Sequence, residues 1–206
     1  KVYWGIAIVS VIVIAMLSTT YAAMQTARDT KASLARRTNT IAALIPHPTL
    51  EELNGNDSDL DRVAYQNLKQ DLYHVRDANK DIRFIYAMKL QNDKPIFSID
   101  SEEPSSDDYS PPGQVYDEDN GEVAAVYANK QTVVLPITSD RWGSWLSAYS
   151  PITDDTGTVV GVLGLDVAAS DYYRAIVLNA LIPFLLSMMI LILLLWTKRR
   201  SEYQEN

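Results

Sequence analysis

Two stretches, residues 2–23 and 175–196, hold no charged side chain. Nothing else constrains the fold as much. An apolar run of about 22 residues makes a helix roughly 33 Å long, enough to cross a bilayer. Tyr3, Trp4 and Tyr21 bracket the first run, and Tyr172, Tyr173 and Trp196 the second, as interfacial aromatics do. Two buried core helices are the competing reading, which the length and the missing charges disfavour. Lys198, Arg199 and Arg200 follow the second run and Lys1 precedes the first. The positive-inside rule then puts both termini in the cytoplasm and the middle outside. Thr20-Tyr21-Ala22 resembles a signal-peptide cleavage site, but the apolar run is long for that role and favours an uncleaved anchor. The expected layout is a first span over residues 1–23, an extracytoplasmic domain over 24–174, a second span over 175–197 and a cytoplasmic tail over 198–206. The protein is thus expected in the cell membrane, with the lipid bilayer as a partner.

The net charge of −8 resides mostly in the middle segment, which argues against nucleic acid as a partner. The chain has no cysteine, so no disulfide or thiolate–metal framework holds it. Residues 24–45 keep a helical pattern without Gly or Pro, and Ala27, Leu34 and Ile41 lie seven apart. That stripe predicts a stalk pairing in a homodimer, or a helix packed on the domain's own sheet. Pro46 and Pro48 end it. Residues 49–53 make a short helix. Asp57, Asp59 and Asp61 invite a calcium reading, but Arg62 and Leu68 stand at the sixth and twelfth positions of such a loop, where an EF-hand needs Gly and Glu. These acids are expected at the start of the next helix, favoured by its dipole. That helix runs to about Asn79 with Val63, Leu68, Leu72 and Val75 as its apolar face.

Strands are expected over residues 83–90, 94–100 and 132–137. Between the last two lie a long acidic, proline-containing loop, 101–119, and a short helix, 122–128; loops of that length are usually functional or mobile. The stretch 141–166 reads as a hairpin. Trp145, Ser147 and Tyr149 alternate with Leu146, Ala148 and Ser150, and Asp154 to Gly157 is turn chemistry. Residues 159–167 are apolar on both faces, as in a covered strand, except for Asp166. A carboxylate there is costly unless something pairs with it.

The pieces 77–88 (DANKDIRFIYAM), 97–116 (FSIDSEEPSSDDYSPPGQVY), 140–152 (DRWGSWLSAYSPI) and 159–167 (VVGVLGLDV) together resemble the extracytoplasmic PAS-like Cache (PDC) sensor domains of bacterial histidine kinases, diguanylate cyclases and chemoreceptors. The resemblance implies an α+β fold. An antiparallel sheet of about five strands would be backed by a long N-terminal helix, with a ligand pocket on the other face under connecting loops. It also implies a sensor of a small-molecule ligand that signals through its spans to a cytoplasmic output outside this sequence. An accessory subunit binding a protein partner and a divalent-cation sensor using the run Asp100, Glu102, Glu103, Asp107 and Asp108 are the alternatives.

No catalytic constellation is visible. His47 and His74 have no triad partners in the pattern, and neither a phosphate-binding glycine loop nor HExxH occurs. No enzyme activity, cofactor or metal is therefore expected. The candidate ligand-binding residues are Tyr86, Tyr109, Tyr116, Trp145 and Tyr149 as aromatic walls, Arg141 as a carboxylate clamp, and Asp100 and Asp166 as acceptors.

Overall fold

The computed structural model describes residues 2–204. Lys1, which entered the charge asymmetry, and Glu205 and Asn206 of the expected tail lie outside the described residues. The chain divides into two compact units, one of residues 1–30 and 172–206 and one of Lys31–Asp171.

The first unit holds the two apolar runs, both helical. Helix α1 spans Val2–Leu44 and helix α5 spans Ala169–Gln204. Both are long and apolar enough to cross a membrane. Ile6, Ile14 and Leu17 on α1 and Leu185, Ile192 and Leu193 on α5 are exposed. Three hydroxyls on these helices bond back to the backbone: Thr26 donates to the Ala22 carbonyl, Ser187 to that of Pro183 and Thr197 to that of Leu193.

The second unit is an antiparallel sheet with helices on it. Its elements are α2 (His47–Glu52), α3 (Val63–Ala78), β1 (Ile82–Gln91), β2 (Lys94–Asp100), α4 (Glu122–Asn129), β3 (Val133–Val134), β4 (Thr138–Asp140), β5 (Gly143–Thr153) and β6 (Val159–Ala168). Strand order is β2-β1-β6-β5-β3, with β4 also paired to β5. Asn92 and Asp93 both take positive φ at the β1–β2 turn, the requirement of a tight hairpin. At the β5–β6 turn one Asp154 oxygen accepts from the N–H groups of Thr156 and Thr158.

Registers separate the two faces of the sheet. Ile85, Leu165 and Ala148 align across one, and Tyr86, Gly164 and Tyr149 across the other. The first face meets α2, since a Cβ at Gly161 would lie 2.4 Å from Leu50, and α1, whose Asn39 accepts from Ser150. The second packs Val123 and Val126 of α4 among Met88, Tyr149 and Val162.

Two expectations change. Residues 132–137 are not one strand: Leu135 still donates to Ser147, but Pro136 has no N–H to continue the ladder, and pairing resumes only at β4. The acids at 57–61 do not open α3, whose first turn has no acidic residue. Asp59 instead sits fully buried in a 3-10 turn, accepting from the N–H groups of Asn54 and Gly55 and pairing with Arg62. Leu34 is fully buried, which fits the second reading of its stripe, a helix packed on its own domain.

Candidate functional site

The second face carries the polar chemistry. Ser147, Asp166 and Phe84 form one cross-strand row, and Tyr149, Gly164 and Tyr86 the next. The glycine is required, because a Cβ at 164 would lie 2.3 Å from the Tyr86 ring. The ring therefore crosses the sheet over Gly164, and its hydroxyl donates to Asp166 Oδ1 at 3.3 Å. The Ser147 hydroxyl is also in hydrogen-bonding reach of Asp166, and Tyr149 in reach of Tyr86 and Tyr116.

Above these rows lies a small hollow with a cavity volume of about 20 Å³, room for a water-sized group and well below the usual size of a small-molecule site. Phe84, Tyr86, Phe97, Tyr116 and Trp142 line it with Asp100, Asp108, Ser110, Asp140 and Asp166. Phe97, Tyr116 and Trp142 pack around one another with centroids 5.8 to 6.2 Å apart.

The wall over the hollow is the long loop after β2, and its path has local causes. Asp100 stitches its base, Oδ1 accepting from the Glu102 N–H at 3.0 Å and Oδ2 from the Ser110 N–H at 2.8 Å. The returning chain runs along the free edge of β2: Gly113 donates to Phe97, Phe97 to Gln114, and Tyr116 to Pro95. That pairing covers an edge and delivers Tyr116. From behind, Arg76 and Arg83 both bind the buried carboxylate of Glu102, Lys69 donates to the Asp100 and Glu102 carbonyls, and Arg83 also pairs with Asp108. The acidic run proposed for a divalent cation is thus largely committed to arginines and backbone. Among the described residues no three His, Cys, Asp or Glu side chains are placed to hold a metal ion.

The four lining carboxylates differ in how far they are engaged. Asp140 Oδ1 accepts from the N–H groups of Trp142 and Gly143 and from Trp145 Nε1, at 2.8 to 3.0 Å. Asp100 holds two backbone N–H groups and Asp108 holds Arg83. Asp166, 4% exposed, has hydroxyls alone. No Lys, Arg or His lines the hollow. Burial therefore dominates the acid chemistry: it raises Asp166 to about 7, opposed by the Ser147 and Tyr86 hydrogen bonds and reinforced by Asp140 and Asp100. Asp100 is raised to about 6, burial outweighing its two backbone N–H bonds. Burial also pushes the Tyr86, Tyr149 and Tyr116 phenols upward.

Of the residues singled out from sequence, Tyr86, Asp100, Tyr116 and Asp166 line this one hollow. Trp145 and Tyr149 are buried next to it, Trp145 edge-on to Phe84 at 4.9 Å. Tyr109 lies elsewhere, its hydroxyl 3.1 Å from that of Tyr65, beside α3. Arg141 is exposed, its guanidinium 4.0 Å over the Trp142 ring. Phe84, Phe97, Ser110, Asp140 and Trp142 complete the lining unanticipated, with Asp108, singled out only as a member of the acidic run. Phe84 was legible, sharing the Tyr86 face by alternation; the loop residues carried no periodic signal.

No family model and no curated protein matches the chain. Solved structures do. The ligand-binding domain of the Campylobacter jejuni chemoreceptor Tlp3, in complex with L-valine, aligns at 17% identity and TM-score 0.52 over 84% of this chain and 64% of that domain. The E. coli DcuS sensor domain aligns at 19% identity and TM-score 0.52, over 73% and 97%. The extracellular domain of soHK1S-Z6 aligns at 14% identity and TM-score 0.56, over 85% and 66%. The chain thus spans 64% of the length of the Tlp3 domain. At these identities the likeness is one of fold.

Proposed function

We propose that this chain, which has the fold of PDC/Cache-like sensor domains, is a two-pass membrane sensor that binds a small polar ligand outside the cytoplasmic membrane. The observation that carries this reading is the hollow on the loop-covered sheet face, where a buried, underpaired carboxylate meets aromatic walls. Convergent polar groups in a mostly apolar concavity are how small-molecule sites are built. The Tlp3 domain is itself a ligand-binding domain, with isoleucine bound in one structure.

The spans are residues 1–23 and 175–197, with 24–174 outside and 198–206 in the cytoplasm. The Lys198-Arg199-Arg200 cluster supports that orientation. A ligand shifts such a sensor only by its differential affinity for two states, and the proposed output is movement of the sheet-packed segment of α1. A homodimer belongs to the same proposal. Leu34 cannot mediate it, so the contact uses exposed residues of that helix such as Ala32.

Thermal melting of the full chain in lipid nanodiscs, against a library of metabolites of every charge class, tests the sensor reading. At least one compound should raise Tm by mass action; a library without any stabiliser overturns it. An impermeant label on spheroplasts should reach residues 50–130 and spare Ser201.

A further inference from the structure

The charge inventory of the hollow narrows the ligand. Four carboxylates line it and no cationic side chain does. Arg83 is engaged with Glu102 and Asp108. Arg141, the other nearby guanidinium, lies on the Trp142 ring. An anion or a carboxylate-bearing ligand would meet four lining carboxylates and no lining cation, Arg83 being stacked on Phe84 and paired with Glu102 and Asp108, and a buried like-charge contact is strongly unfavourable. A cation finds the opposite: a buried carboxylate to pair with and the Tyr86, Phe97 and Tyr116 rings, which attract positive charge, while Phe84 and Trp142 already carry Arg83 and Arg141.

The groups facing Asp166 are Tyr86 from β1, Ser147 from β5, Asp100 at the end of β2 and Asp140 of β4. Tyr116 and Asp108 add a phenol and a further carboxylate to the lining. None supplies positive charge. Without a ligand, the economical way to hold Asp166 there is protonated.

We infer that the hollow takes a small organic cation bearing no carboxylate, an amine whose ammonium replaces the proton on Asp166; this rests on the ligand-sensing reading above. The exchange balances: the ammonium enters charged, Asp166 becomes carboxylate, and one proton leaves to solvent. The site thus departs from the Tlp3 domain, which is seen with L-valine, a zwitterion. With Asp166 held at about 7, release of one proton makes binding about tenfold tighter at pH 8 than at pH 6.

The experiment compares amines with the amino acids that differ from them by a carboxylate: isobutylamine with L-valine, isoamylamine with L-leucine, ethanolamine with L-serine and cadaverine with L-lysine. Titration calorimetry on the full chain in nanodiscs, in two buffers of different ionisation enthalpy, reads affinity and proton release together. The expected result is that at least one amine binds, outcompetes its amino acid at least tenfold and releases about one proton at pH 6. The Asp166→Asn variant should melt as the parent does yet lose both the affinity and the proton release.

An amino acid or dicarboxylate binding as tightly as the matched amine, and losing that affinity in Arg141→Ala, overturns the amine inference and leaves the sensor reading standing. Amine binding with no proton release and no pH dependence overturns the exchange. If no amine binds, the inference falls. If nothing in the metabolite library binds either, the sensor reading falls with it.

Discussion

The two faces of the sheet are built from the same strands by alternation, yet they solve different problems. On the helix-covered face Ile85, Ala87, Leu146, Ala148, Leu163 and Leu165 are fully buried and bring no polar side-chain atoms. Its polar side chains have partners: Ser150 in Thr132 and Asn39, and Lys89 in the Leu50 and Leu53 carbonyls. On the loop-covered face the equivalent positions hold Phe84, Tyr86, Ser147, Tyr149 and Asp166. The first face stabilises by burial; the second spends stability on a carboxylate that the protein only partly satisfies. Asp59 shows that this shortage is local. It is equally buried, but loop N–H groups and Arg62 complete its acceptors. Underpairing at Asp166 is therefore particular to this face, which leaves a buried carboxylate to hydroxyls alone.

The strongest way to break the comparison is to truncate the first face. Leu165→Ala removes a fully buried side chain and should cost about 2–5 kcal/mol, read as a lower Tm or denaturant midpoint. Asp166→Asn, one residue away on the opposite face, should cost less than about 1 kcal/mol at pH 6, where a carboxyl held at about 7 is mostly neutral already. Equal losses would mean that both faces are structural.

Next comes Gly164→Ala. Its new Cβ meets the Tyr86 ring at 2.3 Å, so the ring must move off the strand. Overpacking of this kind costs about 1–3 kcal/mol. Ligand affinity should fall with it, since the Tyr86 hydroxyl leaves Asp166. Retained affinity at reduced stability would detach Tyr86 from binding.

The pH dependence of the free protein is smaller and has a definite sign. The folded-state value of Asp166, about 7, lies above the carboxylate's ordinary one, so the native state holds the proton more tightly than the unfolded chain. This contribution is fully present below about pH 4 and is lost as pH rises through 7. Between pH 6 and 8 the ligand-free protein should lose about 1 kcal/mol from this group. The loss should vanish in Asp166→Asn, leaving the shallower contribution of Asp100 at lower pH.

Much of this contrast was readable beforehand. Alternation along 145–149 and 159–167 separated the faces, and one acid in an apolar strand marked the site. The two long apolar helices followed from missing charges. The loop resisted reading because its path is fixed by single backbone bonds, Gly113 to Phe97 and Tyr116 to Pro95, and by one carboxylate, Asp100, none of which leaves a period in the sequence. That is why Tyr109 and Tyr116 looked alike although only the second reaches the hollow. Arg141 looked like a carboxylate clamp because residue type alone cannot tell a free guanidinium from one resting on the adjacent Trp142 ring. Asp140 went unread for a similar reason: its importance lies in three donors that converge only once the β4–β5 turn has formed.

The smallest expected effect sharpens the comparison most. Arg37 on α1 holds Asp81, just before β1, through two bonds of 2.9 and 2.7 Å. It is a charged tie from the helix to the start of the strand that carries Tyr86. Both partners are partly exposed, so solvent screens the pair and its loss in Arg37→Gln should cost only about 0.2–1 kcal/mol, and less at high salt. If the faces are energetically separate, ligand affinity should stay within about twofold of the parent, below the roughly 0.5 kcal/mol at which distant sites count as coupled. An affinity change beyond that, with Tm barely moved, would mean that the position of α1 and occupancy of the hollow are linked through β1. That outcome would show the two faces acting as one device, and it would identify the Arg37–Asp81 pair as part of the coupling that a sensor needs.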